Sequence, residues 1–189
     1  MRAAILLAAG SSRRFGRANK LLAPLAERPL LLHALERARA GAQGRVIVVT
    51  GADRARVAAI VRGPGVTIVH AADHRQGISA SLRRGIAALR PIEREVTIHL
   101  GDMPFVADAR RWRLAAGQDA LRPIAGGRPG HPVLLRTEVA RRARDLAGDK
   151  GLGTLLSGLR LGVAKAGPGS LIDIDSRAML IRARRMRRL

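Results

Sequence analysis

The chain has 189 residues, 35 of them Lys or Arg and 14 Asp or Glu, for a formal net charge of +21 at pH 7. The absence of cysteine excludes disulfides, thiolate metal sites and cysteine nucleophiles, so oxygen or imidazole must hold any metal. No apolar run approaches the roughly 20 residues of a membrane span, and the run from Ile5 to Ala9 is too short for a signal-peptide core. The sequence therefore predicts one soluble, cytoplasmic domain over 1–189, with no membrane partner.

Aromatic residues make up 2% of the chain and tyrosine is absent, which leaves little for stacking bases. Lysine stands only at positions 20, 150 and 165, so the positive charge is almost all arginine, scattered along predicted helices. That pattern fits a solvated surface rather than a nucleic-acid partner. The exception is a basic helix or tail over about 177–189, with Arg182, Arg184, Arg185, Arg187 and Arg188, where cations suit a helix end.

In chain order, Ala3 to Ala9 is an apolar run that stops at Gly10-Ser11-Ser12-Arg13-Arg14-Phe15-Gly16. It predicts a buried strand feeding a glycine-punctuated loop. Arg13, Arg14, Arg17 and Lys20 bring cations to that loop, and its glycines let backbone N–H groups approach an anion. A triphosphate cradle and a turn with solvated arginines both satisfy this composition. No Gly-Lys-Ser/Thr and no Gly-x-Gly-x-x-Gly occurs, so neither a Walker loop nor a dinucleotide fingerprint is present. Arg28-Pro29-Leu30 opens a helix to about Ala40, with Leu31, Leu32 and Leu35 inward and His33 in packing or at the surface. Arg45 to Thr50 is a second buried strand. Asp53 is expected to cap a helix through about Arg62, with Val57, Ile60 and Val61 inward. Val66 to His70 is a third strand. This rhythm predicts an α/β fold, a three-layer Rossmann-like sandwich with a mostly parallel mixed sheet.

Gln76 to Gly85 reads as a helix start, with Ser79 or Ser81 near the cap and Leu82, Ile86 and Leu89 inward. Val96 to Leu100 is a fourth strand, containing a packed His99 and ending in Gly101-Asp102-Met103-Pro104. A carboxylate at the carboxyl end of a central strand is either a turn former or a ligand-binding group. Residues 105–125 offer a short helix from Arg110 to Leu114 and a short apolar run from Ala120 to Ile124. Gly126 to Pro132 forms a rigid loop entering a strand, and His131 either meets a ligand or fixes its own loop. Ala147 to Gly151 is a turn between two helices. Leu161 to Lys165 is a late strand, and Leu171 to Ser176 another, with Asp173 and Asp175 on one face.

The strings Leu7-Ala8-Ala9-Gly10-x-Ser12-x-Arg14-x-Gly16, Lys20-Leu21-Leu22, Gly77-x-x-x-Ser81-Leu82-x-x-Gly85 and Leu100-Gly101-Asp102-Met103-Pro104 occur in that order. Gly127-x-x-Gly130-His131-Pro132-Val133, the 147–151 loop and Asp173-Ile174-Asp175 follow them. Together they resemble the molybdenum cofactor cytidylyltransferases, of the nucleotide-diphospho-sugar transferase type, from Met1 to about Ser176. The resemblance implies that Leu7, Ala8, Ala9, Gly10, Ser12, Gly16, Gly77, Ser79 and Ser81 hold the nucleotide. It implies Arg14 and Lys20 on phosphate oxygens, Mg²⁺ on Asp102 and Asp175, and the acceptor near His131 and Asp173. Ala9 favours the cytidylyl branch, since the guanylyl branch reads Leu-Ala-Gly-Gly. Two departures stand out. The Gly16-to-Lys20 spacing is one residue longer than in many relatives, and Ser176-Arg177-Ala178-Met179-Leu180 replaces Thr-Pro-Glu-Asp-Leu.

The implied reaction joins CTP to the phosphate of molybdenum-loaded molybdopterin and releases pyrophosphate, with catalysis by Arg14, Lys20 and Asp102. Its product would pass to a molybdenum hydroxylase or its chaperone in a transient contact. Alternatives are GTP or another NTP with a sugar phosphate, alditol phosphate or phospholactate acceptor, a non-catalytic cofactor carrier, or a nucleic-acid module with steeply salt-dependent affinity. The intact aspartates weigh against the last two, since binding alone does not require them.

Overall fold

The computed structural model describes residues 1–16 and 18–186; Arg17 of the predicted phosphate loop and Arg187 and Arg188 of the basic tail lie outside the described residues. The elements run β1 (Arg2–Ala8), β2 (Pro24–Leu25), β3 (Arg28–Pro29), α1 (Leu30–Gly41), β4 (Val46–Thr50), α2 (Arg54–Val61), β5 (Val66–His70) and α3 (Ile78–Ala87). They continue with β6 (Glu95–Leu100), β7 (Ala120–Ala125), β8 (Arg128–Pro129), β9 (Val133–Arg136), α4 (Thr137–Ala140), α5 (Leu152–Leu156), β10 (Leu161–Lys165) and α6 (Arg177–Met186).

The main sheet has the order β10-β7-β9-β6-β1-β4-β5, with β8 folded back on β7. β1 is parallel to β4 and β6, and β4 to β5. β9 runs antiparallel to both β6 and β7, while β10 is parallel to β7. The sheet is thus mixed and mostly parallel, as the sequence predicts. All seven residues of β1 are buried, the unbroken apolar run that a strand covered on both faces needs.

Successive β1 side chains divide between two cores. Ala3, Ile5 and Leu7 pack with Leu82, Ile86 and Leu89 on the α3 side. Ala4, Leu6 and Ala8 pack with Leu31, Ala34, Leu35 and Ala38 of α1 and Val57 and Val61 of α2. Helices, sheet and helices make the three layers. Leu7 stands opposite both Val49 and Leu100, so β1, β4 and β6 finish level and deliver their following loops to one edge. A third cluster joins Phe15, Leu25, Leu30, Ile174, Leu180 and Ala183. It anchors the loop after β1 and the segment before α6 beside that edge.

Four local expectations are corrected. Asp53 precedes α2 without a side-chain cap bond; its carboxylate instead accepts from Asn19 Nδ2 at 3.4 Å and pairs with Arg56 at 3.3 Å. Ser79 and Ser81 do not cap α3, which starts directly after Gly77; both are buried, and Ser79 Oγ accepts from Arg83 at 3.4 Å. Arg110 to Leu114 is not a helix. The wholly buried Arg2 guanidinium donates to the carbonyls of Ala109 and Trp112 at 3.0 and 2.7 Å, and the segment closes only a single turn, with Trp112 N–H donating to the Ala109 carbonyl at 3.1 Å. Leu171 to Ser176 is not a strand. A 3₁₀ turn over Pro168–Leu171 runs into irregular chain, tied to the sheet edge by Ile174 N–H donating to the Asp102 carbonyl at 3.0 Å. The alternation still holds there, because Ile174 is fully buried between two aspartates that keep partial exposure.

Candidate active site

The loop after β1 is braced from within. Ser12 takes left-handed backbone angles, φ 53° and ψ 33°, a strained state that surrounding bonds must hold. Its hydroxyl donates to Asn19 Oδ1 at 3.3 Å and accepts from Lys20 N–H at 3.1 Å, closing the loop across its base. Asn19 Oδ1 also caps the 3₁₀ turn Lys20–Leu22 by accepting from Leu21 N–H at 2.9 Å. Phe15 is plugged into the third core, and its neighbour Arg14 is left with a side chain 79% exposed.

These braces aim Lys20 across the edge at the end of β6. Its ammonium lies 2.6 Å from Asp102 Oδ2 and also bonds Asp175 Oδ1. Arg14 reaches Asp175 Oδ2 at 2.6 Å. The Lys20, Asp102 and Asp175 side chains are all largely buried. Burial pulls the Lys20 ammonium down, but attraction to Asp102 and Asp175 outweighs it and holds the group above its ordinary value. Burial pushes Asp175 up, and the bonds and charge of Lys20 and Arg14 overcome that to hold it below the usual carboxylate range. Asp173, bonded to Asp175, is pushed up by burial and by repulsion from Asp175 and Asp102.

A cavity of about 500 Å³ opens here. Leu7, Ala9, Gly10, Ser12, Arg14, Lys20, Gly77, Ser81, Asp102 and Asp175 all line it, so most of the predicted site converges. Ala8, Gly16, Ser79, His131 and Asp173 are not in its wall. Ala8 faces the α1 core, Gly16 backs the Arg13–Phe15 turn with φ 88°, and Asp173 sits behind Asp175. His131 follows Gly130 on the β8–β9 connection, before a cis bond to Pro132. Among the described residues its Nδ1 is buried without a partner. Burial and the nearby Arg122 push its pKa down to about 4, so the ring is neutral at pH 7. His99 is sealed inside β6, with burial driving it down to about 3, and it packs as the sequence predicts.

Sequence reasoning missed His74, Arg75 and Asp149, which also line the cavity. The signal was partly present. His74 and Arg75 immediately precede Gln76-Gly77, and Asp149 lies in the 147–151 loop, but nothing in the sequence says that the two loops meet.

The donor set suits a hard cation. Two carboxylates from separate segments converge on one positive centre, the Lys20 ammonium, and all their donors are oxygen. Among the described residues no three His, Asp or Glu side chains form a ready-made cage. Asp102 and Asp175 could together hold a divalent cation, with water or phosphate completing its shell.

Residues 4–165 match the family described as MobA-like NTP transferase domain. A 118-residue stretch is 37% identical to the bifunctional protein GlmU of Burkholderia thailandensis, covering 61% of this chain and 26% of that protein. The chain thus spans about a quarter of the curated relatives it matches. Among solved structures, Rv0371c from Mycobacterium tuberculosis H37Rv superposes with a TM-score of 0.83 at 25% identity, covering 97% of each chain. The same protein in complex with manganese gives 0.78 at 24%, covering 97% of this chain and 98% of that one. A nucleotidyl transferase from Methanothermobacter thermautotroptrophicus gives 0.84 at 26%, covering 98% of this chain and 97% of that one. The family match runs from within β1 to the end of β10 and takes in the loops carrying Arg14, Lys20 and Asp102, so the chain belongs to the MobA-like NTP transferase domain family.

Proposed function

We propose that this chain is a magnesium-dependent nucleotidyltransferase that moves CMP from CTP to the phosphate of molybdenum-loaded molybdopterin. The observation that carries the reading is the convergence of Arg14, Lys20, Asp102 and Asp175 at one end of the cavity. A phosphate oxygen of the acceptor forms a bond to the α-phosphorus, and the bond from that phosphorus to the β-phosphate bridge oxygen breaks. An ionised phosphate brings its own nucleophile, so no general base is required. His131, outside the cavity wall, is consistent with that. Asp102 and Asp175 would hold Mg²⁺, which when bound neutralises phosphate charge and orients the reacting groups. Lys20 then turns from the carboxylates to phosphate oxygen. The exposed Arg14 swings onto the departing pyrophosphate and stabilises its charge. Leu7, Ala9 and Leu100 give the nucleoside an apolar floor.

The manganese complex of the mycobacterial protein supports a divalent metal. Ala9 in the cavity wall supports cytidylyl over guanylyl transfer, by its resemblance. The 127–133 string and Asp173 support a pterin acceptor in the same way. The product would be handed in the cytoplasm to a molybdenum hydroxylase or its chaperone. A second reading keeps the chemistry and changes the acceptor; the 37% identity to GlmU over a 118-residue stretch supports it.

The test is pyrophosphate release with Mg²⁺ and each of four NTPs, with and without molybdenum-loaded molybdopterin, comparing wild type with Asp102→Ala. Release with CTP that needs the pterin and vanishes in the variant supports the proposal. Release with another acceptor alone overturns the pterin assignment and leaves nucleotidyl transfer standing.

A further inference from the structure

The cavity has a second end. Along the sheet edge β6, β1, β4 and β5 are successive neighbours, so three strand spacings, about 14 Å, separate the loops after β6 and β5. Asp102 marks the first of these and His74 the second. With phosphates held at the β6 end, the nucleoside extends over β1 and β4, and its base reaches the wall built by His74, Gly77, Ile78, Ser81 and Asp149.

That wall is assembled from two loops, 71–77 and 146–151, which clasp each other. Ser79 N–H donates to the Gly148 carbonyl at 3.3 Å. Gly77, at φ 114°, lies so close to Gly148 that a Cβ there would run into its carbonyl. Arg83 ties the same loops from behind. Its guanidinium donates to the Leu146 carbonyl, to Ser79 Oγ at 3.4 Å and to Asp73 Oδ2 at 3.4 Å. Asp149 thereby emerges at the cavity rim on a clamped backbone. Its side chain is exposed and in no ion pair among the described residues.

We propose that Asp149 reads the base, selecting one that presents an exocyclic amine over one that presents a carbonyl, and that Arg83 is the positioning residue for it. A carboxylate at neutral pH only accepts hydrogen bonds. Cytosine offers it an amine at the position where uracil offers a carbonyl oxygen, which the carboxylate repels. The inference rests on nucleotidyl transfer as read above, but not on the identity of the acceptor.

The test is calorimetric titration of wild type, Asp149→Ala, Arg83→Met and Arg83→Lys with the α,β-methylene analogues of all four NTPs in Mg²⁺, without acceptor. Wild type should favour the CTP analogue over the UTP analogue about tenfold, the low end for a hydrogen bond to a charged group. Asp149→Ala should bind both alike, at an affinity between the two wild-type values. Arg83→Met should lose the same ratio, and Arg83→Lys should recover part of it. The proposal is overturned if Asp149→Ala keeps the CTP preference, an outcome that leaves cytidylyl transfer standing. It is also overturned if wild type favours the UTP analogue. A wild type that favours a purine analogue over UTP, with the ratio lost in Asp149→Ala, upholds Asp149 as the reader and overturns CTP as the substrate.

Discussion

The Lys20 ammonium, 2.6 Å from Asp102 Oδ2, joins residues 82 positions apart, and it bonds Asp175 as well. It occupies the place between two carboxylates where a divalent cation would be held. Lysine and metal therefore compete for the same oxygens until a nucleotide gives the lysine a phosphate partner. Lys20→Met is expected to raise the affinity of the nucleotide-free protein for Mn²⁺ about tenfold, the scale of removing one nearby like charge. The same variant should lower turnover by roughly a hundredfold, because the phosphate loses its cation. Mn²⁺ titration followed by electron paramagnetic resonance checks the first part. An affinity equal to or below wild type would sink the competition.

Arg2 is wholly buried, with a bond to Glu95 at 2.8 Å and two carbonyl bonds to the 109–112 loop. Arg2→Met should leave Glu95 without its buried partner and strip the Ala109 and Trp112 carbonyls of their charged donor, leaving each with one other bond, at a cost of about 3 kcal/mol. Urea unfolding measures the loss. Hydrogen exchange should localise the first loosening to residues 109–113. A variant as stable as wild type would mean that the bridge contributes nothing net.

What the sequence disclosed depended on how local each feature was. The strand-loop pairs at Leu7–Gly10 and Leu100–Asp102 were legible because burial on both faces demands an unbroken apolar run, and glycine marks where it stops. The loop from Arg110 to Leu114 was not, because its conformation is set by Arg2, more than 100 residues away. Asp173 and Asp175 were placed on one face correctly, although their segment is not a strand; Ile174 needs burial in either case. The clasp of Gly77 on Gly148 was invisible for the same reason as Arg2. Its glycines are ordinary turn signals until the two loops are seen together.

Gly85 closes the string that resembles a nucleotide-binding motif, and the structure gives it a packing role. A Cβ there would lie 2.8 Å from Ile5 Cγ2 and 3.0 Å from Val49 Cγ2, both in the closed core under α3. Gly85→Ala should gain up to about 1 kcal/mol in helix propensity and lose about 1–3 kcal/mol to overpacking. The net expectation is destabilisation of about 1 kcal/mol, read by chemical denaturation. A stabilised variant would show that α3 shifts away without cost.

Asp173 and Asp175 should respond to pH with opposite signs. Asp173 is held above the ordinary carboxylate range, first by burial and then by its acidic neighbours. Its folded form binds the proton more tightly than the unfolded chain, so its ionisation costs stability. That cost is absent below the unfolded value of about 4 and complete above the raised folded value. Asp173→Asn removes the charge and keeps a donor toward Asp175, so it should be more stable than wild type at pH 7 and indistinguishable at about pH 3. Asp175 is held low despite its burial, by Lys20 and Arg14. Its ionisation stabilises the fold above the unfolded carboxylate value, and the gain is lost as pH falls through the lowered folded value. Asp175→Asn should therefore be less stable than wild type at pH 7, with the difference shrinking in acid. Thermal unfolding of the three proteins between pH 3 and pH 7 separates the signs. An Asp173→Asn variant that is less stable at pH 7 would mean that its carboxylate is ionised and favourably bonded in the fold. Asp173 would then belong with Asp102 and Asp175 as a third charged ligand position, rather than as a neighbour whose charge burial opposes.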